Sequence, residues 1–170
     1  MYRQSMRVII ANDHGAVALK KKLASWLETQ GHAVANLDVE ERIDYPDVAA
    51  TACAEYKKGG CDFGLLLCGT SIGISIAANK IEGIRCALIH DLLTATMARE
   101  HNDANFVAMG GRIEYSIAPS EILSAYMKAE FRGGRRAERV AKIADLEAKG
   151  ILRRSRPSIL RETPVELKVD

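Results

Sequence analysis

Aromatic side chains are scarce. Three Phe, five Tyr and one Trp make up 5% of the 170 residues, too few for the stacking platforms that hold single-stranded nucleic acid. Charge of one sign is lacking too: 24 Lys and Arg stand against 22 Asp and Glu. No global field therefore draws the chain to nucleic acid or to a membrane surface, and local basic clusters must be judged separately. No apolar run approaches the roughly 18 residues of a membrane span. The cysteines, Cys53, Cys61, Cys68 and Cys86, form no CxxC pair and no zinc-type spacing, and nothing like a secretory leader opens the sequence. These absences lead us to expect reduced thiols, no resident metal and a cytoplasmic protein. What remains is an ordinary soluble composition, 48% hydrophobic and 27% charged, long enough for one full core but not comfortably for two.

The periodicity supplies an architecture. "MRVIIAND" (Met6 to Asp13) is a β-branched run, and the segment after it places Leu19, Leu23, Trp26 and Leu27 at helical spacing before Gly31. The alternation recurs as "HAVANLD" and "YPDVAATACAEYKKGG", "FGLLLC" and "SIGISIAANK", "RCALIH" and "LLTATMAREH", "FVAMGG" and "APSEILSAYMKAEF". Such serial strand-helix units predict an α/β fold, a parallel sheet with helices on both faces. A sixth helix follows in "GGRRAERVAKIADLEAKG". Its thin apolar stripe, Val140, Ile143 and Leu146 or Glu147, suits packing on a partner subunit as well as on its own sheet. We expect one domain over residues 1–150. The segment 151–170, with two prolines, mixed charge and no period, reads as a flexible or partner-draped extension.

Ligands of open parallel sheets bind beyond the carboxyl ends of the strands. Collected there are Asp13 and His14, Asp44 and Tyr45, Cys68 to Gly73, His90 and Asp91, and Gly110 to Arg112. The run "CGTSIGIS" follows a strand and opens a helix, so its N–H groups suit an anion or oxyanion, although a tight strand-to-helix turn would look the same. It lacks the Lys of a GxxxxGK[ST] loop and the spacing of GxGxxG, which argues against nucleotides. Cys68 takes the last strand position before the turn, where a helix start favours the thiolate, a possible base or nucleophile. Cys53 and Cys86 read as small core residues and Cys61 as a loop residue. His101 and Asn102, in "REHNDAN", end the fourth helix and need a neighbouring chain or a long reach to join the others. Arg135 and Arg139 lie four apart on one helical face, a repulsion that an anion between them would relieve. A solvated basic face, shared with Arg132, Arg136 and Lys142, is the plain alternative.

Taken together, "ANDHGA", "DYPDVA", "LLLCGTSIGISIAANKIEGIRCAL", "MAREHNDANFVAMGGR" and "FRGGRRAERV" resemble the ribose-5-phosphate isomerase B family, which also includes galactose-6-phosphate and allose-6-phosphate isomerases. The likeness runs from about Met6 to Gly150. It implies a cofactor-free aldose–ketose isomerase with a Rossmann-like three-layer α/β/α sandwich, a five-stranded parallel sheet and an extra C-terminal helix. It further implies a homodimer or homotetramer whose active sites are shared between chains, acting on a phosphorylated sugar, with neither nucleic acid nor membrane as partner. In the family's pattern Cys68 matches the base that moves a proton between C1 and C2 through an enediolate. His101 matches the histidine that assists ring opening, and Thr70 belongs to the same catalytic set. Asp13, His14 and Tyr45 match site residues, and Gly69, Ser71, Ile72 and Gly73 fall in the anion loop. Asn102 matches a contact to sugar hydroxyls, and Arg112, Arg135 and Arg139 match phosphate ligands.

The chain departs from the pattern in places. Ile74 stands where some relatives carry a Glu base, which leaves the role to Cys68. Ser71 replaces a commoner Gly and is expected to cap the helix or touch sugar. Arg136 stands where many members have His. Ribose 5-phosphate is the expected substrate, with allose 6-phosphate, galactose 6-phosphate or a tetrose phosphate as alternatives. A non-catalytic sugar-phosphate sensor would be expected to lack Cys68 or His101, and both are present.

Overall fold

A computed structural model describes residues 5–37 and 43–149; residue 150 and the 151–170 extension lie outside the described residues. Five strands, β1 (Arg7–Asn12), β2 (Ala33–Leu37), β3 (Phe63–Cys68), β4 (Cys86–Leu88) and β5 (Phe106–Gly110), alternate with α1 (Val17–Thr29), α2 (Tyr45–Lys57), α3 (Ile72–Ala78), α4 (Leu92–Glu100) and α5 (Pro119–Lys128). The additional helix α6 (Arg135–Lys149) follows. All strand pairs are parallel, in the order β2-β1-β3-β5-β4. The expected architecture is therefore present, with β4 trimmed to three residues. At this edge the Asn79 side chain donates to the Cys86 carbonyl at 2.7 Å and accepts from the Cys86 N–H at 2.8 Å, satisfying the outer backbone groups of the strand's first residue.

The central strand β3 is buried along its whole length, as a parallel strand covered on both faces must be. On one face Leu65 and Leu67 pack with Leu23, Leu27, Ile122 and Tyr126 of α1 and α5. On the other, Leu66 and Cys68 pack with Val48, Ala52, Cys53 and Ile74 of α2 and α3. Gly64 is required within β3 because an added Cβ would lie 2.0 Å from the Phe106 ring. That ring stacks edge-on with Tyr56 at 5.1 Å.

Helix α6 is held apart from this core. Both Glu147 carboxylate oxygens accept the Gly83 N–H at 3.0 Å, while Ile143 and Leu146 remain 45% and 58% exposed. Between α6 and the start of β4 lies a cleft of about 760 Å³.

Candidate active site

Strand β1 leads by a helix to β2 on one side, whereas β3 lies on its other side, so the winding reverses between β1 and β3. A crevice opens at the carboxyl edge where it does. Asp13 follows β1, Cys68 ends β3 and Gly110 ends β5, and backbone bonds tie the three together. The Asp13 N–H donates to the Leu67 carbonyl at 3.0 Å, the Gly111 N–H to the Cys68 carbonyl at 2.8 Å, and the Arg112 N–H to the Gly69 carbonyl at 2.9 Å. Glycine permits this approach: a Cβ on Gly15 would lie 2.8 Å from the Gly69 nitrogen, and one on Gly111 would lie 2.6 Å from the Gly15 carbonyl. Asp13, 8% exposed, accepts the Gly15 N–H at 2.7 Å and so fixes the turn that presents His14 to solvent. Tyr45, the first residue of α2, lays its ring against Gly73, where a Cβ would lie 2.7 Å from it. The Arg112 side chain covers Gly69. Asp13, Tyr45, Cys68 to Gly73 and Arg112 thus lie together at this edge, with His14 on the turn beside them.

Cys68 is 5% exposed, and its sulfur accepts the Ser71 N–H at 3.1 Å. Beside it, the amides of Gly69 and Thr70 have no acceptor among the described residues, leaving two donors next to a positioned thiol. Ser71 differs from the sequence expectation. It makes no helix-capping bond, and its hydroxyl, fully buried, accepts the Cys68 N–H at 2.9 Å and donates to the Met109 carbonyl at 2.6 Å. A ligand therefore cannot reach that hydroxyl; Ser71 serves the loop instead. It does so in the left-handed region at φ 60°, where glycine is the ordinary choice. The expected convergence of amides over Gly69 to Gly73 is reduced accordingly, since the Ser71 amide is committed to sulfur and the Ile72 amide lies 3.4 Å from the Thr70 hydroxyl.

The other thiols behave as core or loop groups. Burial pushes the Cys53 thiol up to about 11, drives Cys86 higher still and raises Cys61. Asp91, collected with the strand ends, proves to be the N-cap of α4. It accepts the Thr94 N–H at 2.7 Å and the Thr94 hydroxyl at 2.9 Å, bonds that hold its carboxyl below the usual carboxylate range. His90 is exposed and lies 3.7 Å from that carboxylate.

The remaining candidates gather at the opposite, amino edge. His101 is the C-cap of α4, and Ala104, Asn105 and Phe106 lead from it into the beginning of β5. The Arg136 guanidinium meets His101 Nε2 at 2.8 Å, and Arg132 pairs with Glu100 at 2.8 Å. Arg135 and Arg139, both exposed, have no hydrogen-bond or ion-pair partner among the described residues. At about 3.3 Å per strand residue, the length of β5 puts roughly 15 Å between this cluster and Cys68. Within one chain, His101, Asn102, Arg135 and Arg139 do not reach the thiol. The contact of Arg136 with His101 and the inward role of Ser71 escaped sequence reasoning, although both positions stood out as departures from the family pattern.

The profile of the ribose/galactose isomerase family matches residues 8–143, a span that takes in both clusters. The structure of Clostridium thermocellum ribose-5-phosphate isomerase B superposes with a TM-score of 0.80 at 43% identity, covering 85% of this chain and 99% of that one. That of Mycoplasma genitalium ribose-5-phosphate isomerase B with bound ribulose-5-phosphate gives 0.79 at 34% identity, covering 86% and 99%. Among sequence relatives, the D-erythrulose-4-phosphate isomerase of Pectobacterium atrosepticum is 39% identical over 145 residues, 84% of this chain and 95% of its own length.

Proposed function

Given that the chain belongs to the ribose/galactose isomerase family and is a sugar-phosphate aldose–ketose isomerase, we propose that it interconverts ribose 5-phosphate and ribulose 5-phosphate, with Cys68 as the base. The observation that carries this reading is the Cys68 sulfur held by the Ser71 N–H at 3.1 Å beside two uncommitted amides. In the forward direction the thiolate takes the C2 proton of the open-chain aldose, the C1 oxygen gains a proton as the C2 hydroxyl gives one up, and the enediolate collapses to the C2 ketone as the thiol returns its proton to C1. No electrons leave the substrate, so no redox cofactor is needed. Negative charge develops on the substrate oxygens during transfer, and on this reading the Gly69 and Thr70 amides meet it when it appears. The Thr70 hydroxyl completes that edge.

His101 assists ring opening, Asn102 meets sugar hydroxyls, and Arg112, Arg135 and Arg139 hold the phosphate by charge-assisted bonds. Asp13, His14 and Tyr45 line the sugar. Because the Cys68 and His101 clusters lie at opposite sheet edges, the reading includes a homodimer, or a tetramer built from it, in which the amino edge of one chain meets the carboxyl edge of another. Residues 1–150 form the isomerase domain, in a cytoplasmic enzyme; among the described residues no helix is long and apolar enough to cross a membrane. Resemblance to the erythrulose-4-phosphate enzyme favours a tetrose phosphate as the second reading. Turnover on phosphorylated aldoses of four to six carbons decides between them. The highest kcat/KM on ribose 5-phosphate is expected, and a preference for another sugar would overturn the substrate assignment.

A further inference from the structure

The Arg136 guanidinium lies 2.8 Å from Nε2 of His101. A guanidinium carries only donors and keeps its charge at any working pH. The nitrogen it meets must therefore be an acceptor, which places the single imidazole proton on Nδ1. The charges around the ring point the same way. Glu100 is taken by Arg132 at 2.8 Å. Asp103 is bracketed by Arg99 at 2.6 Å and Arg85 at 3.2 Å. Neither nearby carboxylate in the chain is left over to pair with the ring, while the facing residue from α6 is a cation.

We propose that Arg136 is a positioning residue that fixes His101 as a neutral imidazole protonated on Nδ1. His101 then meets the sugar as a hydrogen-bond donor through Nδ1, not as a base through Nε2. A neutral imidazole whose far nitrogen is engaged by a cation is a stronger donor, and such rings serve as electrophiles toward oxygen. The catalytic consequence rests on the proposed role of His101 in ring opening; the tautomer does not.

The test is long-range proton-nitrogen correlation NMR of the full-length 15N-labelled protein at about pH 8, above the ordinary histidine range. The His101 signals are assigned by their loss in His101→Asn. In the unsubstituted protein the Nδ1 resonance is expected to be of the protonated type and Nε2 of the lone-pair type. Arg136→Ala should move the proton to Nε2, the form that an unconstrained histidine side chain prefers. Arg136→Lys should restore Nδ1 protonation, because an ammonium also only donates. In turnover, kcat on the cyclic substrate should fall about tenfold or more in Arg136→Ala, within the range of misplaced acid-base groups, with Lys recovering most of it and KM moving little. Nδ1 unprotonated, or an imidazolium at that pH, in the unsubstituted protein would overturn the proposal without any variant having to fold. So would an unchanged tautomer in a folded Arg136→Ala protein. Full activity of His101→Asn would instead remove the ring-opening assignment and leave the tautomer result standing.

Discussion

Replacing Ser71 by Ala should cost far more than replacing it by Gly, against the usual order for a buried position. In the β3–β5 register Cys68 pairs with Gly110, and the Gly111 N–H already donates to the Cys68 carbonyl. The reciprocal parallel-ladder bond runs from the Cys68 N–H to the Met109 carbonyl. The Ser71 hydroxyl meets both of these groups as well, accepting from the first at 2.9 Å and donating to the second at 2.6 Å. Alanine removes the bridge but keeps a methyl group in its place. Two buried backbone groups then each lose a hydrogen bond, at about 0.5–1.5 kcal/mol each, while the left-handed φ of 60° is still imposed on a residue with a Cβ. The net loss is then about 1–3 kcal/mol. Glycine relieves roughly 1 kcal/mol of left-handed strain and vacates the space, so that a water can take the place of the hydroxyl between the two backbone groups. We expect a loss within about 1 kcal/mol for the glycine variant. In a chain of this size each kcal/mol shifts Tm by about 2–4 °C, so alanine should melt roughly 2–12 °C lower. Urea denaturation at matched m-values supplies the free energies. An alanine variant as stable as the unsubstituted protein, or one more stable than the glycine variant, would show that the hydroxyl bridge is not what holds the loop.

Cys68→Ala should lose isomerisation by about 10²–10⁴ or more while still binding phosphosugar by calorimetry, since no phosphate contact is touched; near-normal turnover would remove the thiol from the mechanism. Mixing Cys68→Ala chains with Arg139→Ala chains should restore activity once subunit exchange is shown, because one of the two shared sites in a heterodimer then carries both residues. Scrambled but inactive mixtures would place both residues in one chain's site. The lowered Asp91 carboxyl stabilises the α4 cap fully above its unfolded-state value, about 3.9, and that contribution is lost as pH falls through the lower folded value. Stability followed to acid should therefore decline less steeply in Asp91→Asn than in the unsubstituted protein; parallel curves would contradict the assignment.

The fold was legible because each strand-helix unit carries its own local signal. Runs such as Leu65 to Cys68, short, continuously apolar and closed by a glycine, fit a covered strand, and the glycines at 31, 59, 60 and 83 that mark ends take a positive φ. Strand order was not legible. Which side of β1 receives β3 depends on how covered faces pack, and no residue type encodes it locally. The carboxyl-edge cluster was accessible once strand ends were collected, because a parallel sheet brings those ends together whatever their order. Ser71 misled for a definable reason: a serine at a helix start ordinarily caps it, but here the hydroxyl bonds the β3 and β5 backbones behind the loop. Asp91 looked like a site residue by position and turned out to be the cap, since a polar residue after a strand is also a polar residue before a helix.

The division between the two edges follows from the same topology. Crossover helices run opposite to the strands, so a residue at a strand end and one at a helix end are separated by the depth of the sheet. Cys68 and His101 are such a pair. A symmetric contact that lays the amino edge of one chain over the carboxyl edge of its partner would, by its own symmetry, complete two sites at once. Ile72, Ile76, Leu92, Leu93 and Ile113, exposed between 40% and 67% around the carboxyl edge and its flanking helices, give such a contact the apolar surface it needs. On the proposed assembly Arg135 and Arg139 supply its polar counterpart. With Arg132 paired to Glu100 and Arg136 placed on His101, these two guanidiniums, without carboxylate partners among the described residues, remain to receive an anion. On the proposed assembly the anion is the substrate's phosphate, brought to them by the sugar held at the partner's thiol.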